Sequence, residues 1–199
     1  NGEILDAKDE VALEHHFTIH LHNGGQVEAV CSPGYLEEFT LGRRYLLDDL
    51  MQKEYPPQRS EQLSAMEIDT ILRLTSELFE TPGDLFQSTG CAHSCALVCG
   101  GQVKCCIEDI GRHNALDKVI GFALKNGIPI ADSVVFTSGR ISRDYLEKVI
   151  KAGFKIVVSR AAVTASAVAL ARQENITMLG FIRRNGGNIY HDGKVKLRG

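Results

Sequence analysis

The amino-acid sequence predicts an α/β fold, in which helices pack on a mixed or parallel β-sheet behind a small β-rich lobe. From residue 91 onward, short apolar runs alternate with segments whose apolar residues recur at helical spacing, which is the pattern of strand–helix units. Before that point, an alternating segment at residues 11–22, a turn at Asn23–Gly25 and a second run to Cys31 predict a β-hairpin.

The next elements complete the N-terminal part of the chain. The Ser-Pro pair that begins at Ser32 is typical of a helix start, so we predict an N-cap at Ser32 and a helix to about Leu50. The polar segment 51–63 contains two adjacent prolines and is expected to be a loop or linker. We therefore expect an N-terminal lobe over residues 1–62 and an α/β domain over residues 63–199.

The α/β domain is predicted to begin with a helix. Ser64–Glu67 matches a capping box, and apolar residues at helical spacing follow it until Pro82. The later strands are predicted at Ser94–Val98, Val103–Ile107, Val134–Phe136, Phe154–Ser159, Ile176–Ile182 and Asn188–His191. The later helices are predicted at Leu116–Leu124, Tyr145–Ala152 and Ala161–Ala171.

Composition narrows the class of protein. The 199-residue chain is 44% hydrophobic and 24% charged, which are ordinary values for a globular protein. No apolar stretch approaches the roughly 20 residues that span a bilayer, and no export signal is visible. Five of the six cysteines crowd into the middle of the chain. We therefore expect reduced thiols, a cytoplasmic location and no membrane partner.

Charge is divided unevenly along the chain. Residues 1–90 carry 17 acidic and 6 basic side chains, whereas residues 91–199 carry 16 basic and 8 acidic ones. A basic half suits an anionic ligand such as a nucleotide, and packing of the two halves against each other is an equally good explanation. The basic residues are scattered and match no nucleic-acid-binding signature, so no nucleic-acid partner is expected.

The polar run at residues 108–121 lies where a strand is predicted to meet a helix. Gly111 permits a tight turn, Arg112 can form paired hydrogen bonds with phosphate, and a helix N-terminus favours anions. Ligands of open α/β sheets bind in crevices at the carboxyl ends of strands. The run, with Arg112 and His113, thus predicts part of a ligand site. An N-cap with a local Asp109–Arg112 pair is the alternative.

Two further turns share this design. Thr137–Ser142 ends a strand, turns at a glycine and presents Ser138 and Arg140 before a helix, and the Ser-Arg pair at 159–160 is a weaker instance. The segment Phe181–Gly187 leaves a strand with two adjacent arginines, which could bind an anion or simply form a solvated basic hairpin. Together the turns predict one crevice for a phosphate-bearing ligand.

Cysteine and histidine around residue 93 raise the alternative of a zinc-dependent, deaminase-like hydrolase. Cys91, His93 and Cys95 are dense enough to be considered as ligands. A zinc deaminase also needs His-x-Glu and Pro-Cys-x-x-Cys, and the sequence contains neither. No Walker loop or Gly-x-Gly-x-x-Gly occurs. We expect no metal, and we expect Cys91 and His93 to be exposed.

Several segments together resemble the formate dehydrogenase accessory protein family, the FdhD/NarQ type. They are Thr89–His93, residues 108–121, residues 137–142 and Gly180–Tyr190, and the hairpin followed by Cys31–Gly42 also fits. The resemblance covers nearly the whole chain. It implies a three-layer α/β/α sandwich with a mixed sheet, similar to cytidine deaminases but without their zinc site, plus a small N-terminal β-rich lobe. It also implies a homodimer.

The resemblance implies a function as well. Family members are sulfurtransferases that take sulfur from a cysteine desulfurase and pass it to the bis-guanine-dinucleotide form of the molybdenum cofactor, which is then inserted into formate dehydrogenase. The cofactor is bound transiently, so the protein is also its chaperone. By resemblance, the expected cofactor-binding residues are Phe181, Ile182, Arg183, Arg184, Asn185 and Gly186, with Arg112, His113, Ser138 and Arg140 beside them.

One part of the family pattern is absent. The persulfide cysteine of the family lies in a Cys-Gly-x-Cys-Gly motif, at a place where this chain has residues 51–62 and no cysteine. An omitted loop and a true loss both explain this, and the abrupt join favours an omitted loop. The sequence therefore assigns no persulfide cysteine, and Cys91 is the best-placed remaining thiol. A chain that truly lacks the loop would be a nucleotide-binding or cofactor-binding chaperone without sulfur transfer.

Overall fold

The N-terminal part of the chain forms a hairpin and two helices. The computed structural model describes residues 8–56 and 67–193. The hairpin strands are antiparallel, and their apolar side chains form a small cluster with Phe39 of the first helix. The elements are β1 (His15–His20), β2 (Gln26–Cys31), α1 (Leu36–Leu47) and α2 (Asp49–Glu54).

A six-stranded mixed sheet organises the rest of the protein. Its spatial order is β4-β3-β5-β6-β7-β8, with β5, β6 and β7 parallel and the other neighbouring pairs antiparallel. The strands are β3 (His93–Cys99), β4 (Gln102–Asp109), β5 (Ser133–Thr137), β6 (Ile156–Ser159), β7 (Thr177–Arg183) and β8 (Gly186–His191).

Helices cover both faces of this sheet. The remaining ones are α3 (Ile68–Phe79), α4 (Asp84–Thr89), α5 (Arg112–Lys125), α6 (Arg143–Ala152) and α7 (Ala165–Gln173), with a short 3₁₀ turn at Ile130–Asp132. The larger core lies between one face and α1, α2, α5, α6 and α7. The smaller core lies between the other face and α3. The predicted α/β/α layers with a mixed sheet are therefore confirmed.

The backbones of α1 and α5 touch at two glycines. A Cβ atom at Gly42 would lie 1.9 Å from the carbonyl oxygen of Asp117, and one at Gly121 would lie 1.8 Å from the carbonyl oxygen of Glu38. No larger side chain fits at either position without moving a helix. Gly121, the last residue of the 108–121 run, is thus a packing residue that allows the backbones of α1 and α5 to touch.

The predicted start of α1 is wrong. The helix begins at Leu36, behind a Tyr35 that adopts a left-handed conformation with φ 55°. Ser32 does not cap it, because its N–H and hydroxyl both donate to the buried carboxylate of Asp109, 3.0 Å away. A buried charge gains more from these hydrogen bonds than an exposed helix end does, so the tertiary contact prevails.

The predicted single helix to Leu50 is two helices. Asp48 has extended backbone angles and its carboxylate accepts a hydrogen bond from Leu50 N–H, so it caps α2. Part of the expected linker is therefore helical, and Met51 is buried in the larger core. Residues 57–66 of that linker and of the predicted capping box, and the proposed domain boundary, lie outside the described residues. The predicted capping box at Ser64–Glu67 is wrong in its last residue, because Glu67 has extended backbone angles and is itself the N-cap of α3, which begins at Ile68.

Two other differences concern the second half of the chain. The helix predicted from Ala161 begins only at Ala165, because Thr164 is its N-cap and Val163 pairs with Ile141 in a parallel β-bridge. The short helix α4 was not predicted. Within the described residues, no helix is long and apolar enough to cross a membrane.

Candidate functional site

Strand directions bring the polar turns to one edge of the sheet. The parallel strands β5, β6 and β7 end there, while the antiparallel β3 and β8 begin there and β4 ends there. The predicted turns at 109–113, 137–142, 159–160 and 181–186 are therefore neighbours, as the sequence indicated. This edge, called the site edge below, also receives His93 at the start of β3.

Backbone and hydroxyl hydrogen bonds hold the site edge rigid. Ser94 N–H donates to the Ser138 hydroxyl at 2.9 Å, and Ser138 N–H donates to the Ser94 carbonyl at 2.9 Å. Gly139 N–H donates to the Thr137 hydroxyl, and the Ser159 hydroxyl donates to the Gly139 carbonyl at 2.7 Å. The turns are thus braced against one another, which favours precise placement of a ligand.

A cleft of about 330 Å³ opens at the site edge beside α3. Its polar wall contains Ser94, Ser138, Arg160 and Arg183. Its opposite wall is apolar and is formed by Leu78, Phe79, Pro82 and Phe86. A cleft with two guanidinium groups facing an apolar wall can take a ligand that has both an anionic part and a flat or apolar part.

The two arginines of this cleft are held by backbone carbonyls. Arg160 donates to the Phe79 carbonyl at the end of α3, and Arg183 donates to the carbonyls of Arg160 and Ile182. Burial, together with the nearby Arg160 charge, lowers the pKa of Arg183 from its ordinary value. An anion placed between the two guanidinium groups would relieve this repulsion.

Arg112 and Arg140 lie near His93, at the turn that contains Gly139. A Cβ atom at Gly139 would be 2.9 Å from Cβ of Arg112 and 3.5 Å from Nδ1 of His93, so the three residues are packed together. Within residues 8–56 and 67–193, the buried Nε of Arg112 has no hydrogen-bond partner. Burial and the charges of Arg112 and Arg140 lower the pKa of His93. His93 is therefore neutral at neutral pH.

These four arginines share one property. None of Arg112, Arg140, Arg160 and Arg183 forms an ion pair with a carboxylate among residues 8–56 and 67–193, although three other arginines do. Four unpaired positive charges at one edge create a strongly anion-attracting surface. Arg160 and His93 were not among the predicted binding residues. The Ser-Arg pair at 159–160 was the sequence signal for Arg160.

A larger cavity of about 940 Å³ adjoins the cleft. It shares Leu78 and Ser94 with the cleft, and its lining includes Glu10, Asp84 and Glu108. The two shared lining residues make this cavity a neighbour of the cleft at the site edge.

His113 lies behind the site edge, on the side of α6. Its Nε2 is 3.1 Å from a carboxylate oxygen of Asp144, and its ring meets that of Tyr145 edge-on. Burial, with the nearby charges of Lys148 and Arg112, lowers the pKa of His113 to about 4, although Asp144 acts in the opposite direction. A neutral His113 can donate one hydrogen bond and accept one.

The remainder of the 108–121 run is structural. Asp109 and Lys118 form a 2.7 Å ion pair in which neither side chain is exposed. Lys118 also donates to the carbonyl and hydroxyl of Ser32, and Gly111 N–H and Asn114 donate to the second oxygen of Asp109. The alternative of a local Asp109–Arg112 pair is therefore wrong. Lys118 falls among the apolar positions of α5, and that placement was the available signal for its burial.

A second buried carboxylate ties three helices together. Asp117 of α5 is fully buried and receives Lys148 of α6 at 2.7 and 2.8 Å and Arg43 of α1 at 3.0 Å. Because α1 supplies one of these cations, the N-terminal elements are bound to the domain by charge as well as by packing.

The structure places the residues of the predicted cofactor-binding segment 181–186 in different surroundings. Phe181 is exposed and adopts a left-handed conformation with φ 55°, at an irregularity in the β7–β8 pairing. Ile182 is 2% exposed and belongs to the smaller core, so it could touch a ligand only through its backbone. Arg183 lines the cleft, whereas Arg184 lies beside Asp69 and Glu80 of the α3 region. Arg184 and Asn185 form the turn between β7 and β8, and Gly186 is the first residue of β8.

The zinc alternative finds no ligand set in the described part of the chain. Residues 8–56 and 67–193 contain no cluster of three or more histidine, cysteine or acidic side chains that could hold a metal ion. Cys95 is fully buried, with its sulfur 3.8 Å from the Tyr145 hydroxyl. Cys91 is exposed.

Fold and site together define an α/β protein with a mixed sheet, at one edge of which hydrogen-bonded turns bring four arginines together. The model of the FdhD/NarQ family matches residues 43–195, and the chain belongs to that family. This confirms the resemblance inferred from the sequence.

Known proteins similar to this chain agree with the assignment. The sulfur carrier protein FdhD of Bacillus subtilis (strain 168) is 29% identical over 246 residues, which cover 98% of this chain and 94% of that protein. The sulfur carrier protein FdhD of Bacillus pumilus (strain SAFR-032) is 31% identical, covering 95% and 91%. A crystal structure described as a formate dehydrogenase accessory protein from Desulfotalea psychrophila has a TM-score of 0.80 and 25% identity, covering 95% of this chain and 91% of that one.

The alignment lengths also bear on the missing cysteine motif. The match to the Bacillus subtilis protein extends over 246 positions, whereas this chain has 199 residues in all. The relative therefore contains tens of residues that have no counterpart here. Family membership supports a sulfur-carrier role in formate dehydrogenase maturation.

Proposed function

We propose that this protein takes sulfur from a cysteine desulfurase and passes it to the bis-guanine-dinucleotide form of the molybdenum cofactor, which then enters formate dehydrogenase. It would act in the cytoplasm, as a homodimer, and would hold the cofactor only transiently. The observation that carries the proposal is the group of four arginines without carboxylate partners around the cleft. The family relationship supports it.

The chemistry of the site edge suits the guanine dinucleotide arms of this substrate. Their diphosphates need cations and N–H donors, which Arg160 and Arg183 offer in the cleft and Arg112 and Arg140 offer across the Gly139 turn. A guanine ring needs an apolar surface, and Phe86, which is exposed, with Leu78 and Pro82 supplies one. The adjoining cavity provides room for the rest of a large molecule.

A second candidate function is a nucleotide-binding or cofactor-binding chaperone without sulfur transfer. The absence of Cys-Gly-x-Cys-Gly from the chain favours it. The two functions differ in whether the protein accepts sulfur. Intact mass after incubation with cysteine and a cysteine desulfurase separates them, because one added sulfur raises the mass by about 32 Da.

Titration with GDP, as a stand-in for one arm of the substrate, tests the proposed site. Calorimetry should show saturable binding to the wild-type chain. Arg183→Ala should weaken binding about tenfold or more, equivalent to about 1.4 kcal/mol. Arg184→Ala is the matched control, because Arg184 is the next residue but lies away from the cleft. Its affinity should stay within about twofold of wild type.

Thermal unfolding of the variants controls for misfolding, since Arg183 also donates to two backbone carbonyls. No saturable binding by a folded wild-type protein would count against the proposal. Equal losses in the two variants would show that general positive charge, and not the cleft, attracts GDP.

A further inference from the structure

His93 has a fixed position at the site edge. It is the first residue of β3 and is among the residues that line the cleft. The next residue, Ser94, exchanges two 2.9 Å hydrogen bonds with Ser138, and these tie the start of β3 to the turn that contains Gly139. A Cβ atom at Gly139 would lie 3.5 Å from Nδ1 of His93. The imidazole ring is therefore held against this turn.

The ring of His93 has unused hydrogen-bonding capacity. In the part of the chain that the structure describes, neither ring nitrogen has a hydrogen-bond or ion-pair partner, although the side chain is only partly exposed. A neutral imidazole can donate one hydrogen bond and accept one, and a protonated imidazole can donate two. The ring can therefore bind a ligand without breaking a contact of the folded chain.

The charged side chains beside the ring of His93 are positive. Arg112 packs against the same glycine, and Arg140 follows that glycine in the chain. Arg112 is oriented by Ser142, whose hydroxyl accepts a hydrogen bond from its Nη2 at 3.4 Å. Burial, followed by the charges of Arg112 and Arg140, lowers the pKa of His93 from its ordinary value. The folded chain thus disfavours a proton on this ring.

The carboxylates of the adjacent strand β4 do not pair with His93. Asp109 lies opposite His93 in the β3–β4 register, but its oxygens already accept from Lys118 and from N–H and hydroxyl donors. Glu108 accepts from Leu85 N–H at 2.9 Å, and successive residues of a strand point to opposite faces. An anionic ligand at the turn would therefore supply the negative charge that the surroundings of His93 lack.

We propose that His93 is a further binding residue of the site edge, which takes up one proton from solvent when a diphosphate binds at the Gly139 turn and then donates a hydrogen bond to it. The inference rests on the proposed function, because the diphosphate is that of a guanine dinucleotide arm. A phosphate beside Arg112 and Arg140 offsets the positive charge that disfavours protonation of the ring. The imidazolium then adds a third cation, and its hydrogen bond to phosphate is stronger than that of a neutral ring.

This coupling sets the direction of the pH dependence. In the free protein His93 is unprotonated at neutral pH because its pKa is lowered, and in the complex the phosphate raises that pKa. Binding therefore consumes a proton in the pH range between the two pKa values. The affinity rises as the pH falls through that range.

Calorimetric titration with GDP-mannose tests the coupling on the full chain. Its diphosphate is esterified at both ends, so that, unlike GDP, it does not itself titrate near neutral pH. Titrations in buffers that differ in ionisation enthalpy give the number of protons taken up. The wild type should take up a proton on binding and should bind at least about threefold more tightly at about pH 6 than at about pH 8.

Two variants separate His93 from the other histidines. His93→Gln keeps a side chain that forms hydrogen bonds but cannot become charged, so its affinity should change by less than about twofold between these pH values, and the proton uptake should be lost. His20→Gln is the matched control and should behave as the wild type does, because His20 is an exposed residue of β1. Thermal unfolding shows whether each variant is folded.

An NMR titration of the His93 ring gives a readout that does not depend on a variant or on affinity. Saturation of the wild type with GDP-mannose or GDP should raise the titration midpoint of His93 by about one pH unit or more.

The outcomes separate this inference from the proposed function. A wild-type protein that binds GDP-mannose without proton uptake, or a His93→Gln variant that retains the uptake, would overturn the role of His93 and leave the proposed function intact. A His93 midpoint that neither ligand moves would do the same. Failure of the folded wild type to bind either GDP-mannose or GDP would overturn both.

Discussion

Residues 108–121 contain two kinds of charged group, the buried Asp109–Lys118 pair and the unpaired Arg112 at the turn. Behind the turn, Asp109 and Lys118 are fully buried and every oxygen of the carboxylate has a donor. At the turn, Arg112 has a buried nitrogen with no partner among the described residues, and it lies near other arginines that form no ion pair within that part of the chain. Complete pairing is typical of a structural group, whereas incomplete pairing is what a ligand site would show.

The scaffold region also explains how the site edge is held in place. Through Ser32 and Asn114, the Asp109–Lys118 pair connects the end of the N-terminal hairpin to the end of β4. Removing this connection would loosen the base of α5, which carries Arg112 and His113. The positions of Arg112 and His113 therefore depend on the buried Asp109–Lys118 pair.

The largest effect on stability is expected from breaking the buried Asp109–Lys118 ion pair. Lys118→Met would leave the carboxylate of Asp109 buried without its counter-ion, and we expect a loss of about 3–5 kcal/mol in the free energy of unfolding. Urea denaturation followed by circular dichroism measures it. The double variant Asp109→Asn plus Lys118→Met should recover part of the loss, because no charge is then left unpaired. A single variant as stable as the wild type would contradict the scaffold role.

A smaller effect is expected at His113, which lies between the two regions. Its folded-state pKa of about 4 is below the ordinary value of 6.5, so the unfolded chain binds the proton more readily. Stability from this group is complete above about pH 6.5 and is lost as the pH falls toward 4, by on the order of 2 kcal/mol. Denaturation curves across this range should show the loss, and His113→Gln should reduce their slope. An NMR titration midpoint near 6.5 would refute the assignment.

The smallest effect on stability is expected at the arginines of the site edge. Arg140 is exposed and has no ion-pair partner, so Arg140→Ala should change the free energy of unfolding by less than about 0.5 kcal/mol. The same variant should weaken GDP binding several-fold if the arginines of the site edge bind the phosphates. A stability loss comparable to that of Lys118→Met would erase the distinction between the two regions.

Much of this architecture followed from local patterns in the sequence. Glycine turns after apolar runs located the turns of the site edge, because a strand that ends in glycine and polar residues has few other conformations available. The alternation of strand-like and helix-like segments indicated that helices pack in layers on a sheet. The family was also identifiable, since the 108–121 run is long and specific.

Other features could not be derived in this way. The diversion of Ser32 from helix capping to the Asp109–Lys118 pair depends on contacts between residues that are 77 and 86 positions apart. The separation of Arg183 from Arg184 depends on the irregular pairing of β7 and β8, which sends adjacent side chains to different surroundings.

By itself, the sequence determined the α/β class, the order of its strands, the family and the polar turns, because each of these is encoded by neighbouring residues. Only the tertiary structure decided which charges are neutralised, which histidines have a lowered pKa and which cysteines are buried. Burial and pairing depend on what the folded chain places around a group, and a buried polar group is stable only when that surrounding structure satisfies it.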